Sequence, residues 1–149
     1  MYGKSVPFWR SKRPFDMSRE EWESLCDGCA RCCLHKLEDE RTGTIHYTCI
    51  VCRYLDCETC QCTCYPQRTK IVPTCLQLTP ETFMTIRFLP DTCAYRLIAE
   101  GKELAWWHPL VSGTSDTVHE AGISIRGKVL SEDFVHPLDW ERMIIDWVR

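Results

Sequence analysis

The run CDGCARCC, residues 26 to 33, places four cysteines in eight positions, the last two adjacent. It sets the problem that any fold of this chain has to solve. Ten of the twelve cysteines (Cys26, Cys29, Cys32, Cys33, Cys49, Cys52, Cys57, Cys60, Cys62 and Cys64) lie between positions 26 and 64, and Cys75 and Cys93 follow singly. Over the same stretch the large apolar side chains are only Leu34, Leu37, Ile45, Tyr47, Ile50, Val51, Tyr54 and Leu55. Fixing a backbone costs about 1–2 kcal/mol per residue, more than so few apolar groups can offset. A structural zinc contributes roughly 10–16 kcal/mol of apparent folding free energy in finger peptides, and an iron–sulfur cluster acts similarly through four thiolates.

Compartment ranks the alternatives. The opening MYGKSVPFWRSKRPF is basic at Lys4, Arg10, Lys12 and Arg13 and interrupted by prolines, so it lacks the apolar core of a secretory signal. No segment approaches the ~20 apolar residues of a membrane span. A cytoplasmic location is expected, and a reducing cytoplasm puts metal binding ahead of thiol redox chemistry and static disulfides last. With 18 Lys+Arg against 21 Asp+Glu, no nucleic-acid or membrane partner is expected. No Ser/His/Asp set, phosphate loop or paired-carboxylate signature supports an enzyme assignment. His35, His46, His108, His119 and His136 are expected in ordinary surface or core roles, His35 being close enough to the octet to donate to a ligand.

Spacing narrows the chemistry. Cys26, Cys29 and Cys32 form C-x2-C-x2-C, the run that with a remote fourth cysteine supplies one [4Fe–4S] cluster. The next residue is Cys33, however, and no cysteine precedes a proline, so the ferredoxin pattern is broken. Cys49/Cys52 and Cys57/Cys60 are further C-x2-C pairs, while Cys60, Cys62 and Cys64 would line one face of an extended segment. Adjacent side chains point about 100° apart in a helix and oppositely in a strand, so Cys32 and Cys33 are expected in different sites or roles. A helical octet would align Cys26, Cys29 and Cys33; a turn around Gly28 would present Cys32 instead. Both stay open.

The fold class expected is α+β: a small irregular domain over residues 1–149 with short helices and a β-hairpin, organised around a cysteine-rich metal site. It comprises an extended lead-in (1–16) anchored by Phe8, Trp9 and Phe15, a cysteine-cluster region (17–100) and a C-terminal packing segment (101–149). Ser18 and Glu21 form a capping box with a Met17–Trp22 staple. A hairpin is expected around the turn Asp39 to Gly43, with loops and single turns over 49–73. Thr79 and Pro80 should open a helix to about Phe88, and Asp91 or Thr92 should cap a helix ending at Gly101. WWHPL reads as a packing anchor, 115–120 as a short helix and ISIRG (123–127) as a strand. PLDWERMIIDWV has Trp140, Ile144 and Trp147 at helical spacing.

With these residues in place, the chain resembles a bacterial family named for its CxxCxxCC signature and described as zinc- or iron-chelating, in particular its YcgN branch, also called UPF0260. The likeness is carried by VPFW (6–9), EWESLCDGCARCCLHKL (21–37), TCQC (59–62), TCAYRLIAEGKEL (92–104) and WHPL (107–110). It implies nine metal-site cysteines: Cys26, Cys29, Cys32, Cys33, Cys52, Cys60, Cys62, Cys75 and Cys93. Cys49, Cys57 and Cys64 depart from its pattern. A similar cluster in flagellin lysine methylases implies that such a module accompanies an enzyme. The expected function is therefore a metalloprotein with iron or an iron–sulfur cluster, or another polynuclear cysteine site, in electron transfer, sensing or support of a partner protein. The rivals are a zinc-bound structural or interaction module and a thiol oxidoreductase using low-pKa thiolates.

Overall fold

Two hydrophobic cores form, and the cysteine octet is the strap between them. The computed structural model describes residues 6–86 and 88–149. Lys4 and Arg87, on which parts of the lead-in and of the helix expected over 79–88 fall, lie outside them. One core gathers Ala30, Leu34, Tyr47, Val51, Leu55, Cys60, Ile125 and Val148. The other gathers Trp22, Leu25, Phe83, Leu89, Ala94, Tyr95 and Leu104. Leu25 ends in the second core and Ala30 in the first, so residues 26 to 29 cross from one to the other.

The second core is built from short helices. The lead-in is not extended: α1 (Phe8–Ser11) and a 3₁₀ turn at Pro14–Asp16 replace it. Phe8 and Trp9 anchor it as expected, but Phe15 is 69% exposed and anchors nothing. Helix α2 (Arg19–Ser24) carries the full capping box, Glu21 N–H donating to Ser18 Oγ and Ser18 N–H to the Glu21 carboxylate. Met17 packs in the same core as Trp22, whose indole N–H donates to Leu78 O at 3.0 Å.

Among the described residues of 79–88 the expected helix does not form. A single 3₁₀ turn, Phe83–Thr85, forms instead, because Thr79 and Thr82 bond each other's hydroxyls and Thr82 Oγ1 accepts the Thr79 N–H. Such local side-chain bonds compete with helix propagation. Phe83 is thereby turned edge-on to Trp22, ring centroids 5.1 Å apart. Helix α4 (Ala94–Ala99) has Cys93 at its N-cap position, without a side-chain cap bond, in place of Asp91 or Thr92. It closes through Gly101 (φ +68°): Gly101 N–H bonds Ile98 O and Lys102 N–H bonds Leu97 O, a Schellman motif.

The hairpin is present. β1 (Leu34–Glu38) pairs antiparallel with β2 (Ile45–Val51), Lys36 opposite Tyr47, and Asp39 caps the turn by accepting the Arg41 and Thr42 N–H groups. Cys49 belongs to β2, so the irregular segment begins at Cys52. There the two-residue strands β3 (Leu55–Asp56) and β4 (Gln61–Cys62) form a tight antiparallel ladder, followed by a 3₁₀ turn (Tyr65–Gln67) and one turn of helix, α3 (Arg68–Ile71).

In the last third, His108 is 2% exposed and caps α5 (Pro109–Ser112), accepting Leu110 N–H at Nδ1, with its Nε2 2.7 Å from Leu25 O. Trp106, by contrast, is exposed. Helix α6 (Thr117–Glu120) lies where expected. ISIRG is not a strand: Ile125 is a fully buried plug whose N–H bonds Cys29 O, and Gly127 (φ +76°) turns the chain. The strand comes later, as β5 (Leu130–Ser131) pairing parallel with β2. PLDWERMIIDWV starts as 3₁₀ turns (Pro137–Met143), but Ile144 leaves them to bridge Thr48 and Ile145 N–H bonds Tyr47 O. The sheet edge takes the backbone away from the helix, and Trp147 packs on the first core.

Candidate metal centre

The octet adopts the turn form. Asp27 is buried and Oδ1 accepts the Cys29 N–H at 3.0 Å, tying off a turn in which Gly28 has φ +79°. Ala30 (φ +62°) reverses the chain into a 3₁₀ turn at Arg31–Cys33. The Arg31 N–H donates to Cys29 Sγ at 3.4 Å, so one cysteine of the first C-x2-C accepts a backbone hydrogen bond. Arg31 itself is buried, bonded to Ile123 O (2.7 Å) and Thr92 Oγ1 (3.3 Å) with its guanidinium 5.8 Å from the centre of the Trp147 ring.

All twelve cysteines carry free thiols, and their mutual electrostatics divide them. Cys26, Cys29 and Cys93 each feel Cys32 and Asp27, and Cys32 reaches Cys75 as well. Cys52, Cys62, Cys64 and Cys75 form a second neighbourhood, with Cys33 beside it feeling Cys52 and Cys75. Cys62 and Cys64 are closest, Sγ to Sγ 3.8 Å. Cys32 and Cys33 are the seam. The Cys33 thiol bonded to Cys32 holds Cys32 down at about 7, against burial and with help from Lys36, and Cys33 is driven far upward by the same bond and by burial.

Elsewhere burial dominates. It pushes Cys26 to about 12, helped by Cys32, and Cys93 to about 11, and it raises Cys29, Cys52, Cys64 and Cys75. Several thiols crowded in a low-dielectric site cannot all ionise unaided; a divalent cation reverses that balance. Cys26 and Cys32 are nonetheless open to solvent on one side. Among the described residues no three His, Cys, Asp or Glu side chains are drawn together tightly enough to grip one ion.

Of the nine cysteines that the resemblance implies, eight fall in these two adjoining neighbourhoods. Cys60 does not. It has φ +60°, is 5% exposed and packs in the first core, with Ser124, Arg126 and Cys57 around it. His35 is not turned to a sulfur but to Glu132, Nε2 to Oε2 3.2 Å, and stacks on Trp140. Glu132 also accepts the Arg53 N–H at 2.8 Å.

Two polar groups at the site go beyond the cysteine pattern. Asp27 ties the first turn, and the Lys36 ammonium donates to Leu34 O (2.8 Å) and Cys32 O (3.1 Å) over the Tyr47 and Phe88 rings. Their only signal in the sequence is a charge inside or next to a cysteine run.

Relatives extend over nearly the whole chain. A UPF0260 protein of Marinobacter nauticus is 57% identical over 143 residues, 96% of this chain and 97% of the relative. A UPF0260 protein of Gluconacetobacter diazotrophicus is 57% identical over 141 residues (95% and 87%), and one of Brucella melitensis 60% identical over 127 (85% and 84%). No family model matches the chain, and no solved structure does.

Proposed function

The chain belongs to the UPF0260 family, and from that premise we propose that it is a thiolate metalloprotein with two adjoining centres, the first an iron–sulfur cluster on Cys26, Cys29, Cys32 and Cys93. The observation that carries this is the return of Cys93, at the start of α4, to the C-x2-C-x2-C run. Three close cysteines and a remote fourth are the ligand set of a single [4Fe–4S] cluster. Cys52, Cys62 and Cys75 supply three sulfurs of the second centre, and Cys33 separates the two. The donors suit such a group: all are thiols, and Cys29 already accepts a backbone N–H bond of the kind that tunes cluster potentials. When bound, the cluster would supply one-electron chemistry. The solvent-open edge at Cys26 and Cys32 suits electron exchange with a partner protein.

Anaerobic purification with metal and acid-labile sulfide analysis tests the proposal. Brown protein containing iron and sulfide is expected, and Cys29→Ser should lose it where Cys49→Ser does not. Colourless protein with stoichiometric zinc would leave a structural module. Protein without tightly held metal that cycles between dithiol and disulfide would be a thiol oxidoreductase.

A further inference from the structure

We infer that the second centre takes a single tetrahedral thiophilic cation chelated by Cys62 and Cys64, with Cys60 outside it. The inference rests on the metal-binding reading above but not on iron. In a tetrahedral site with metal–sulfur bonds of about 2.3 Å, two sulfurs on one ion lie about 3.8 Å apart. Cys62 and Cys64 stand at that separation, 3.8 Å. In a cubane cluster each iron takes its own cysteine, which sets the cysteine sulfurs farther apart than one tetrahedral edge. The pair therefore fits one ion.

The backbone explains the pairing. An unbroken extended run would align Cys60, Cys62 and Cys64 on one face, but Cys60 occupies the four-residue turn between β3 and β4 in a left-handed conformation, φ +60°. Its N–H bonds Asp56 O and its side chain enters the first core. The strand ends at Cys62, and in the turn that follows Thr63 is held on Tyr54 O by both its N–H (2.8 Å) and its hydroxyl (2.6 Å). With Thr63 fixed on Tyr54, the turn brings the Cys62 and Cys64 sulfurs to 3.8 Å. Both are only half-buried, so an ion can reach them; Cys52 and Cys75, whose charges act on Cys64, would have to close in to complete four, because no third sulfur is drawn tightly to the pair among the described residues.

Anaerobic titration of the reduced full-length protein with Co²⁺, read by thiolate charge-transfer and tetrahedral d–d absorption, tests this. The wild type should show a tetrahedral thiolate site. Cys64→Ser should weaken it roughly tenfold or more, about 1.4 kcal/mol, and Cys60→Ala should leave it unchanged, with circular dichroism verifying that each variant folds. Independently of substitution, bound Co²⁺ should protect Cys62 and Cys64 from alkylation in the wild type. Alkylation of Cys64 at the cobalt-free rate, or Cys60→Ala losing the site while Cys64→Ser keeps it, overturns the pairing and leaves the metal reading standing. A wild type that binds neither Co²⁺, zinc nor iron overturns both.

Discussion

Removing the Glu132 carboxylate should loosen the Cys52 loop from outside it. Glu132 is the clasp between the C-terminal segment and the Cys52 loop: it receives Arg53 N–H (2.8 Å), Arg53 Nη2 (3.3 Å) and His35 Nε2 (3.2 Å), and its side chain is 18% exposed. A hydrogen bond to a charged group contributes about 1.5–3 kcal/mol. The Arg53 guanidinium, half exposed, adds little because solvent screens it. The backbone bond and the His35 contact then put Glu132→Ala at about 2 kcal/mol, which for a chain of this size lowers the melting temperature by about 4–8 °C. Burial alone would raise the Glu132 pKa, but the Arg53 N–H, His35 and the Arg53 guanidinium outweigh it and hold the carboxyl below its ordinary value. The stabilisation is thus complete above the unfolded carboxylate range and lost as pH falls through the depressed folded pKa. Glu132→Gln should destabilise at neutral pH and flatten the acid limb of the stability profile. Thermal melts between pH 7 and 3, with the alkylation rate of Cys52 measured alongside, test both parts. A variant melting within 1 °C of wild type, or Cys52 reacting no faster, refutes the clasp.

Three further substitutions probe other links of the chain. Leu25→Ala empties a site with 0% exposure at the head of the octet and should cost about 2–5 kcal/mol in urea unfolding; a loss under 1 kcal/mol would mean the second core collapses around the gap. Arg31→Lys removes the fork that holds Ile123 O and Thr92 Oγ1 and should cost about 1–3 kcal/mol, with faster amide exchange at Ile125 as its local signature; unchanged exchange there speaks against Arg31 as the tie. Gly101→Ala puts a side chain at φ +68° with open space around it, so backbone strain alone should cost about 1 kcal/mol, and a neutral result would show that the motif relaxes.

Where local chemistry decides the backbone, the sequence was legible. The capping box at Ser18 and Glu21, the Asp39 to Gly43 turn and the glycine after α4 each depend on neighbours within five residues, and each formed. The helix expected over 79–88 failed because threonine hydroxyls offered the backbone a competing set of bonds and Phe83 was drawn to Trp22, 61 positions away. ISIRG alternates like a strand, yet Ile125 is taken singly by the octet. For the candidate site, spacing raised the question of the doubled cysteine but left helix and turn equal; the buried Asp27 side chain selected the turn. The division of the thiols was beyond any spacing rule, since it depends on Cys93 returning from 60 residues beyond Cys33 and on a left-handed Cys60.

The strap between the two cores has a thermodynamic consequence. An ion or cluster joining Cys29 to Cys93 is a reversible cross-link that closes a loop of 65 residues, and by the loop-length relation for disulfides such a closure restricts the unfolded chain by roughly 4 kcal/mol. The link also ties a residue crossing from one core to the start of a helix in the other. Metal occupancy would therefore set the cooperativity of unfolding as well as its free energy. Loaded protein should absorb heat in one calorimetric transition, and chelated protein in two, each core melting by itself; a single peak under both conditions would mean that the cores are coupled without the metal.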